Sequence, residues 1–259
     1  MTILIFDIET IPDVETGKLL YDLTDLSDAD AAKAIFAKRI EKVGNDFLPH
    51  YLQKVVVISL VLVNKSQLKV WSLGDLDSPE EELISRFFKG IDKHTPTLVS
   101  WNGSGFDLPV LHYRSLKHGI SAPSYWETGD EQPAFKWNNY LNRFHYRHLD
   151  LMDVLAGYQN KAFAPLDEIA SMLGFPGKMG MSGDKVFSEY LAGNLQGIRN
   201  YCETDVLNTY CVYLRFELIR GNLNNNEYTY EMQRLKEYLG SETAKPFLQE
   251  FLAAGQWVS

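Results

Sequence analysis

The chain has 259 residues, of which 45% are hydrophobic, enough to bury a core in one large α/β domain or two small ones. Acidic residues number 34 against 25 basic ones, and a formal net charge of −9 argues against a passive binder of polyanions. No run approaches about 18 uninterrupted apolar residues, so no membrane span and no membrane partner are expected.

The first element is a strand over Ile3 to Ile8. Ile3, Ile5, Asp7 and Glu9 alternate onto one face, and Leu4, Phe6 and Ile8 onto the other. Both faces are apolar until the two acids, which reads as a central strand ending at a site. Residues 10–53 lean helical and form an inserted arm. Val55 to Val63 is a β-branched run, typical of a strand buried on both faces. Asn64-Lys65-Ser66 turns into a more exposed strand over Gln67 to Leu73. Ser78 suits an N-cap, with Pro79 at the first helical position and Glu81 completing a capping box.

Thr97 to Trp101 is a short strand, and Gly103-Ser104-Gly105 turns into a helix over about Phe106 to His118. Residues 121–142 read as a long loop and His145 to Leu149 as the last strand, followed by helical segments near 151–158 and 165–173. Asn194 caps a long helix reaching Gly221, its apolar stripe running through Ile198, Cys202, Val206 and Tyr213. Cys202 and Cys211, on that one helix, lie about 13 Å apart, too far for a disulfide. Reduced thiols suit a cytoplasmic protein, and the start of the chain lacks the marks of a signal peptide. From Glu227 onward the sequence is amphipathic and helical.

Three constellations carry chemistry. Asp7 and Glu9, two apart on a strand, point both carboxylates at one spot. Asn102 and Asp107 bracket the glycine-rich turn. Tyr201 and Asp205, four apart, share one helix face. Each pair alone has a plain structural reading, as a solvated strand end, a first-turn acid meeting a helix dipole, or a core edge. Clustered carboxylates repel one another and titrate upward unless a cation compensates, and hard divalent ions prefer such oxygen ligands.

In order, Phe6-Asp7-Ile8-Glu9-Thr10, Asn102-x-x-x-Phe106-Asp107 and Tyr201-x-x-x-Asp205 resemble the three exonuclease motifs of the DEDD superfamily, in the form found in family B DNA polymerases. Asn200 and Tyr201 place the third motif in the tyrosine subclass. The chain is too short to hold a polymerase domain as well. It most resembles stand-alone proteins described as predicted 3′→5′ exonucleases related to the family B polymerase exonuclease domain, which also carry segments like His148-Leu149-Asp150-Leu151-Met152-Asp153.

The resemblance implies a ribonuclease H-like α/β fold: a mixed five-stranded sheet flanked by helices, with a helical insertion after the first strand. Residues 1–259 would be a single 3′-5′ exonuclease domain, with residues 10–53 as the arm and 222–259 as a C-terminal helical extension. It implies catalytic Asp7, Glu9, Asp107, Tyr201 and Asp205, and two Mg²⁺ or Mn²⁺ ions held by the four acids. Asp7 would bridge both ions, Glu9 and Asp205 would complete the site of the attacking water, Asp107 would hold the second ion, and Tyr201 would orient the water. Two ions about 3.5–4 Å apart stabilise both oxygens of an in-line displacement. Asp150 suits an N-cap better than a ligand.

The partner is then the 3′ end of a single-stranded nucleic acid, which needs surfaces for bases and phosphates. Residues 135–148 mix aromatics with positive charge, and Lys136, Trp137, Tyr140 and Arg143 are the candidates there, although such a loop can equally cover the core. Thr10, Asn102 and Phe106 join them from the motifs. Asn102 suits either the terminal nucleotide or an amide cap on the following helix, and Phe106 reads first as core. The glycine-rich loop from Lys178 to Lys185 can lie over the site, while His50, Gln53 and Lys54 read as ordinary surface. DNA is the favoured substrate. An exoribonuclease acting on RNA ends or short oligomers is the alternative within nucleases, and an inactive nucleic-acid-binding adaptor the alternative of another class. Scattered histidines argue against a His-Asp phosphohydrolase.

Overall fold

In the computed structural model, which describes residues 2–257, the first strand does not stop at its acids. β1 runs from Ile3 to Pro12 at the centre of a five-stranded sheet ordered β3-β2-β1-β4-β5. β2 (Gln53–Val63) and β3 (Leu68–Ser72) are antiparallel neighbours on one side. β4 (Thr97–Ser100) and β5 (His148–Asp150) lie parallel to β1 on the other. The chain is thus a mixed α/β sheet of the ribonuclease H-like type, as its order of strands predicts.

The alternation in β1 divides the core between the two faces of the sheet. Leu4, Phe6 and Ile8 pack with Ile58, Leu60 and Leu98 against α3 (Glu80–His94) and α4 (Asp107–His118), notably Phe87, Phe88 and Val110. Ile5 packs on the opposite face with Val61, Val99 and Leu149, against the long helix at Leu195–Ile219 through Val206 and Tyr210. Asp7 and Glu9 follow Ile5 on that face, which is why they meet the long helix.

The arm after β1 holds α1 (Val14–Tyr21) and α2 (Asp28–Val43) and returns through a 3-10 turn, His50–Leu52, with Ile35, Leu48 and Leu52 as its own small core. α5 (Pro123–Trp126) interrupts the long loop. After β5 come α6 (Leu151–Leu155), α7 (Leu166–Met172), α8 (Val186–Leu191) and α9 (Leu195–Ile219). Asn194 caps α9, accepting from the Gly197 N–H at 3.0 Å. α10 (Asn225–Ser241) and α11 (Pro246–Ala254) bring Leu235, Leu239, Leu248 and Phe251 into the α9 core.

β1 and β2 take Thr10–Pro12 and Gln53 from the expected arm, and two further boundaries differ for local reasons. α3 begins at Glu80 rather than under a Ser78 capping box, because the Ser78 hydroxyl instead accepts the Asp75 N–H at 3.0 Å and closes the preceding turn. The last strand holds only His148–Asp150, because its predicted start is spent on the loop: His145 Nδ1 accepts the Asn139 N–H at 3.0 Å, and the Arg147 side chain donates to the Asn138 carbonyl. No helix among the described residues is long and apolar enough to cross a membrane.

Candidate active site

The four acids meet beyond the end of the β1–β4 ladder. That ladder stops at Ile5 opposite Val99, so the Ile8 N–H loses its strand partner there. Asp107, the first residue of α4, takes it: Oδ1 accepts at 3.1 Å, which seats the α4 carboxylate beside the acids of β1. On the β2 side the register slips after Glu9, with Glu9 opposite Val57 and Thr10 opposite Val55. A bulge of this kind bends and twists the strand locally, and here it falls beside the two acids. α9 supplies Tyr201 and Asp205 one turn apart, with the phenol and the carboxylate near enough to shift each other's titration.

Glu9 and Asp107 are buried, whereas Asp7 and Asp205 keep partial exposure, so the cluster opens to solvent on one side. Burial, and then the charges of Asp107 and Asp205, push the Asp7 carboxyl well above its ordinary range. Burial and then Asp7 do the same to Glu9. Burial raises Asp107 and Asp205 to about 7 each. Burial, with Asp205 and Glu9 beside it, also drives the Tyr201 phenol far up, so it stays protonated. Uncompensated carboxylates that repel one another in a low-dielectric pocket are the electrostatic complement of divalent cations.

The donor set fits hard ions. Cys202 is the soft group nearby: its thiol donates to Asp7 Oδ2 at 3.4 Å, and its Sγ lies within 4.8 Å of carboxylate oxygens of Asp7 and Glu9. Burial and the neighbouring carboxylates hold that thiol in its protonated form, a poor metal ligand. The sequence gives no sign of this contact beyond the one-residue offset from Tyr201.

Asp150 is a structural acid. Oδ1 accepts from the N–H groups of Asn102 at 2.9 Å and Met152 at 3.2 Å, and Oδ2 accepts from Ser104 at 2.8 Å. It therefore caps α6 and ties down the glycine turn at once. In that turn Asn102 sits at φ 63°, and its carbonyl accepts from Gly105 and Phe106. A β-carbon at Gly105 would lie 2.4 Å from Asn102 Oδ1, so a larger residue there would displace the Asn102 amide. α4 opens at Phe106 without a side-chain cap among the described residues, so the Asn102 amide does not cap it.

The expected nucleic-acid contacts divide. The Thr10 hydroxyl donates to Gln53 Oε1 at 2.8 Å. Tyr140 must be withdrawn as a stacking surface: it is 2% exposed, its hydroxyl donates to the Pro96 carbonyl at 2.7 Å, and its ring stacks on Tyr125. Of the rings in this segment, Phe135 and Tyr140 turn inward while Trp137, Phe144 and Tyr146 face out. Trp137 is 80% exposed with the Lys136 ammonium 5.6 Å from its ring centre. Arg143 pairs with Asp153 through both carboxylate oxygens, at 2.8 and 2.9 Å.

Phe106 is half-buried and flanked by two residues of the arm, Phe47, which sequence reading passed over, and His50, which it read as ordinary surface. The Phe47 ring lies 5.5 Å and the His50 ring 5.8 Å from it, centre to centre, and His50 Nε2 donates to the Gly105 carbonyl at 2.9 Å. Lys178, in the glycine-rich loop, lies close enough to Asp205 to favour its charged form.

Residues 45–255 match the family described as "Predicted 3'-5' exonuclease related to the exonuclease domain of PolB". The chain belongs to this family. Among curated relatives it is 35% identical over 69 residues to DNA polymerase 1 of Saccharolobus solfataricus, covering 26% of this chain and 8% of that protein. It is also 35% identical over 75 residues to the DNA polymerase of Pyrococcus glycovorans, covering 27% and 10% respectively. The family B DNA polymerase of Pyrobaculum calidifontis superposes on 98% of this chain with a TM-score of 0.50 and 15% identity, using 27% of its own length. That likeness is one of fold. The matched segments are a tenth or less of the curated polymerases.

Proposed function

We propose that the chain is a 3′→5′ exonuclease that hydrolyses the terminal phosphodiester of single-stranded nucleic acid, with DNA favoured, using two Mg²⁺ or Mn²⁺ ions. The observation that carries this reading is the convergence of Asp7, Glu9, Asp107 and Asp205, from one strand and two helices, on a single pocket in which each raises another's pKa or is raised by burial. Asp7, Glu9, Asp107 and Asp205 would hold the ions, which supply Lewis acidity and charge neutralisation at the scissile phosphate.

The chain's own groups divide the remaining work. Tyr201, beside Asp205 and held protonated, is a hydrogen-bonding group rather than a base, so it orients the attacking water. The Ile8 N–H fixes the Asp107 carboxylate, and the Cys202 thiol fixes that of Asp7. Phe47, Phe106 and His50 form a face beside Asp107 on which the terminal bases can stack, and Lys178 stands by Asp205 as a cation for phosphate. Residues 1–259 act as one domain in this reading, the arm and the C-terminal helices included. The two buried free thiols, Cys202 and Cys211, suit a reducing cytoplasm.

The test is digestion of matched 5′-labelled DNA and RNA oligomers in Mg²⁺, Mn²⁺ or EDTA. A descending ladder that needs metal supports the reading and ranks the two sugars. Release of the label as a mononucleotide with no labelled intermediates would reverse the polarity, and intact strands in both metals would leave the adaptor reading.

A further inference from the structure

From Gln132 to Leu149 the chain carries no acid, in a protein with an excess of nine. The fold uses only part of this segment. Phe135 and Tyr140 are buried, and the Arg147 guanidinium lies 4.0 Å over the Phe135 ring, sealing that core. The other half faces outward and has no such duty. Phe144 is 65% exposed, yet its ring is not loose: it meets Tyr158 at 4.8 Å and 69°.

Three features hold this pair in place. Tyr158 sits at φ 61°, a costly conformation for a bulky side chain, with its N–H donating to the Asp153 carbonyl at 2.8 Å. The Arg143 guanidinium lies 5.2 Å from the Tyr158 ring centre and 6.0 Å from that of Phe144. Asp153, with its carboxylate 6% exposed, anchors Arg143 through one terminal nitrogen. Arg143 itself remains 46% exposed, so its other N–H groups are open to a ligand. A strained tyrosine, an anchored arginine and an exposed phenylalanine form a built surface that buries nothing for the core.

Arg143 also links this surface to the motif turn that precedes Asp107. A cavity of about 430 Å³ is lined by Asn102, Ser104 and Gly105 of that turn together with Arg143 and Asp153, which puts Arg143 on the side of the turn that a strand can reach.

We propose that Arg143, Phe144 and Tyr158 form an upstream subsite for the single strand, a base stacking on the Phe144–Tyr158 pair with Arg143 meeting the adjoining phosphate. The occupant is a nucleic-acid strand because a flat aromatic face beside an unspent guanidinium complements a base and its phosphate together. The inference rests on the exonuclease reading for the direction of the strand.

The experiment is fluorescence anisotropy of 5′-fluorescein-dT12 in Ca²⁺ with wild type, Phe144→Ala and Phe144→Trp, alongside kcat/KM on dT12 and dT4 in Mg²⁺. Phe144→Ala should weaken dT12 binding by about 5- to 150-fold, and Phe144→Trp should restore it. The effect on kcat/KM should be larger with dT12, which can span both the acids and the subsite, than with dT4. Arg143→Lys should lower the salt dependence less than it lowers affinity, because the charge stays and the planar fork is lost. Unchanged dT12 binding by Phe144→Ala overturns the subsite, as does an equal loss on dT4 or a wild type that binds no dT12. Binding that depends on Phe144 without any cleavage by the wild type would keep the subsite and sink the exonuclease reading. Cleavage indifferent to Phe144 would do the reverse.

Discussion

Asp107 accepts the Ile8 N–H at 3.1 Å, so a backbone amide of the central strand fixes the carboxylate of the neighbouring helix. Ile8 lies between Asp7 and Glu9, and one hydrogen bond therefore sets the spacing of three of the four acids. The backbone gap that makes it possible is the early departure of β4 at Ser100.

The same carboxyl predicts a pH dependence. Asp107 is raised to about 7, chiefly by burial, from an ordinary value of 3.8. Between those values the folded state holds a proton that the unfolded state releases, so this group's contribution to stability is full below about 4 and is lost as pH rises through about 7. His112 and His148, both lowered to about 4 by burial, act with the opposite sign over part of that window. The difference between proteins isolates the acid: metal-free Asp107→Asn should gain Tm relative to wild type as pH rises from 4 to 8. Added Mn²⁺ at pH 8 should raise the wild-type Tm and raise that of the variant less. Parallel Tm curves would remove Asp107 from the coupled cluster.

Tyr201→Phe should lower kcat by about 10²-fold, the usual scale for losing one positioned hydrogen-bonding group, while the metal concentration for half-maximal rate stays as in the wild type. A shift of that metal dependence with kcat intact would make the phenol part of metal binding instead.

Phe47→Ala should raise KM for DNA and RNA alike, by about 5- to 150-fold, because stacking is indifferent to sugar and sequence. Phe47 is 57% exposed, so the variant keeps its fold. The change should be insensitive to salt, unlike the loss of a phosphate contact. A steep salt dependence or an unchanged KM would dismiss the arm from substrate binding.

Arg114 is 2% exposed and joins Asp13, at the end of β1, to Glu80, at the start of α3. Asp13 is held well below its usual range despite burial, by its bonds to Thr16, Arg114 and Lys117. Glu80 also accepts the Val55 N–H at 2.6 Å beside the bulge. Arg114→Met takes the shared guanidinium from two buried acids, leaving Asp13 to Lys117 and Thr16 and Glu80 to His118 and the Val55 N–H, and should cost about 1.5–3 kcal/mol, read in urea unfolding. A cost below about 1 kcal/mol would mean that the network is solvated in solution.

Much of this was legible in the sequence because it depends on local periodicity. The two-residue spacing of Asp7 and Glu9, the four-residue spacing of Tyr201 and Asp205, and the cap at Asn194 each fix a side chain's direction without long-range knowledge. Asp150 was readable as a cap for the same reason. Phe47 and His50 were not, because 55 residues separate His50 from the Gly105 carbonyl it meets and nothing in residues 45–53 records the return of the arm. Tyr140 misled because an aromatic-basic segment does not state which of its rings turns inward. Ser78 misled because a hydroxyl that fits a helix cap also fits the turn before it.

Removal of nucleotides from a 3′ end by the four proposed acids is read most plainly in single-turnover digestion of 5′-labelled dT12 in Mn²⁺ by wild type, Asp7→Ala and Asp205→Ala. The wild type should give a ladder descending one nucleotide at a time and either variant an intact strand, although both still bind the oligomer. The same ladder from Asp7→Ala would contradict that role for the acids.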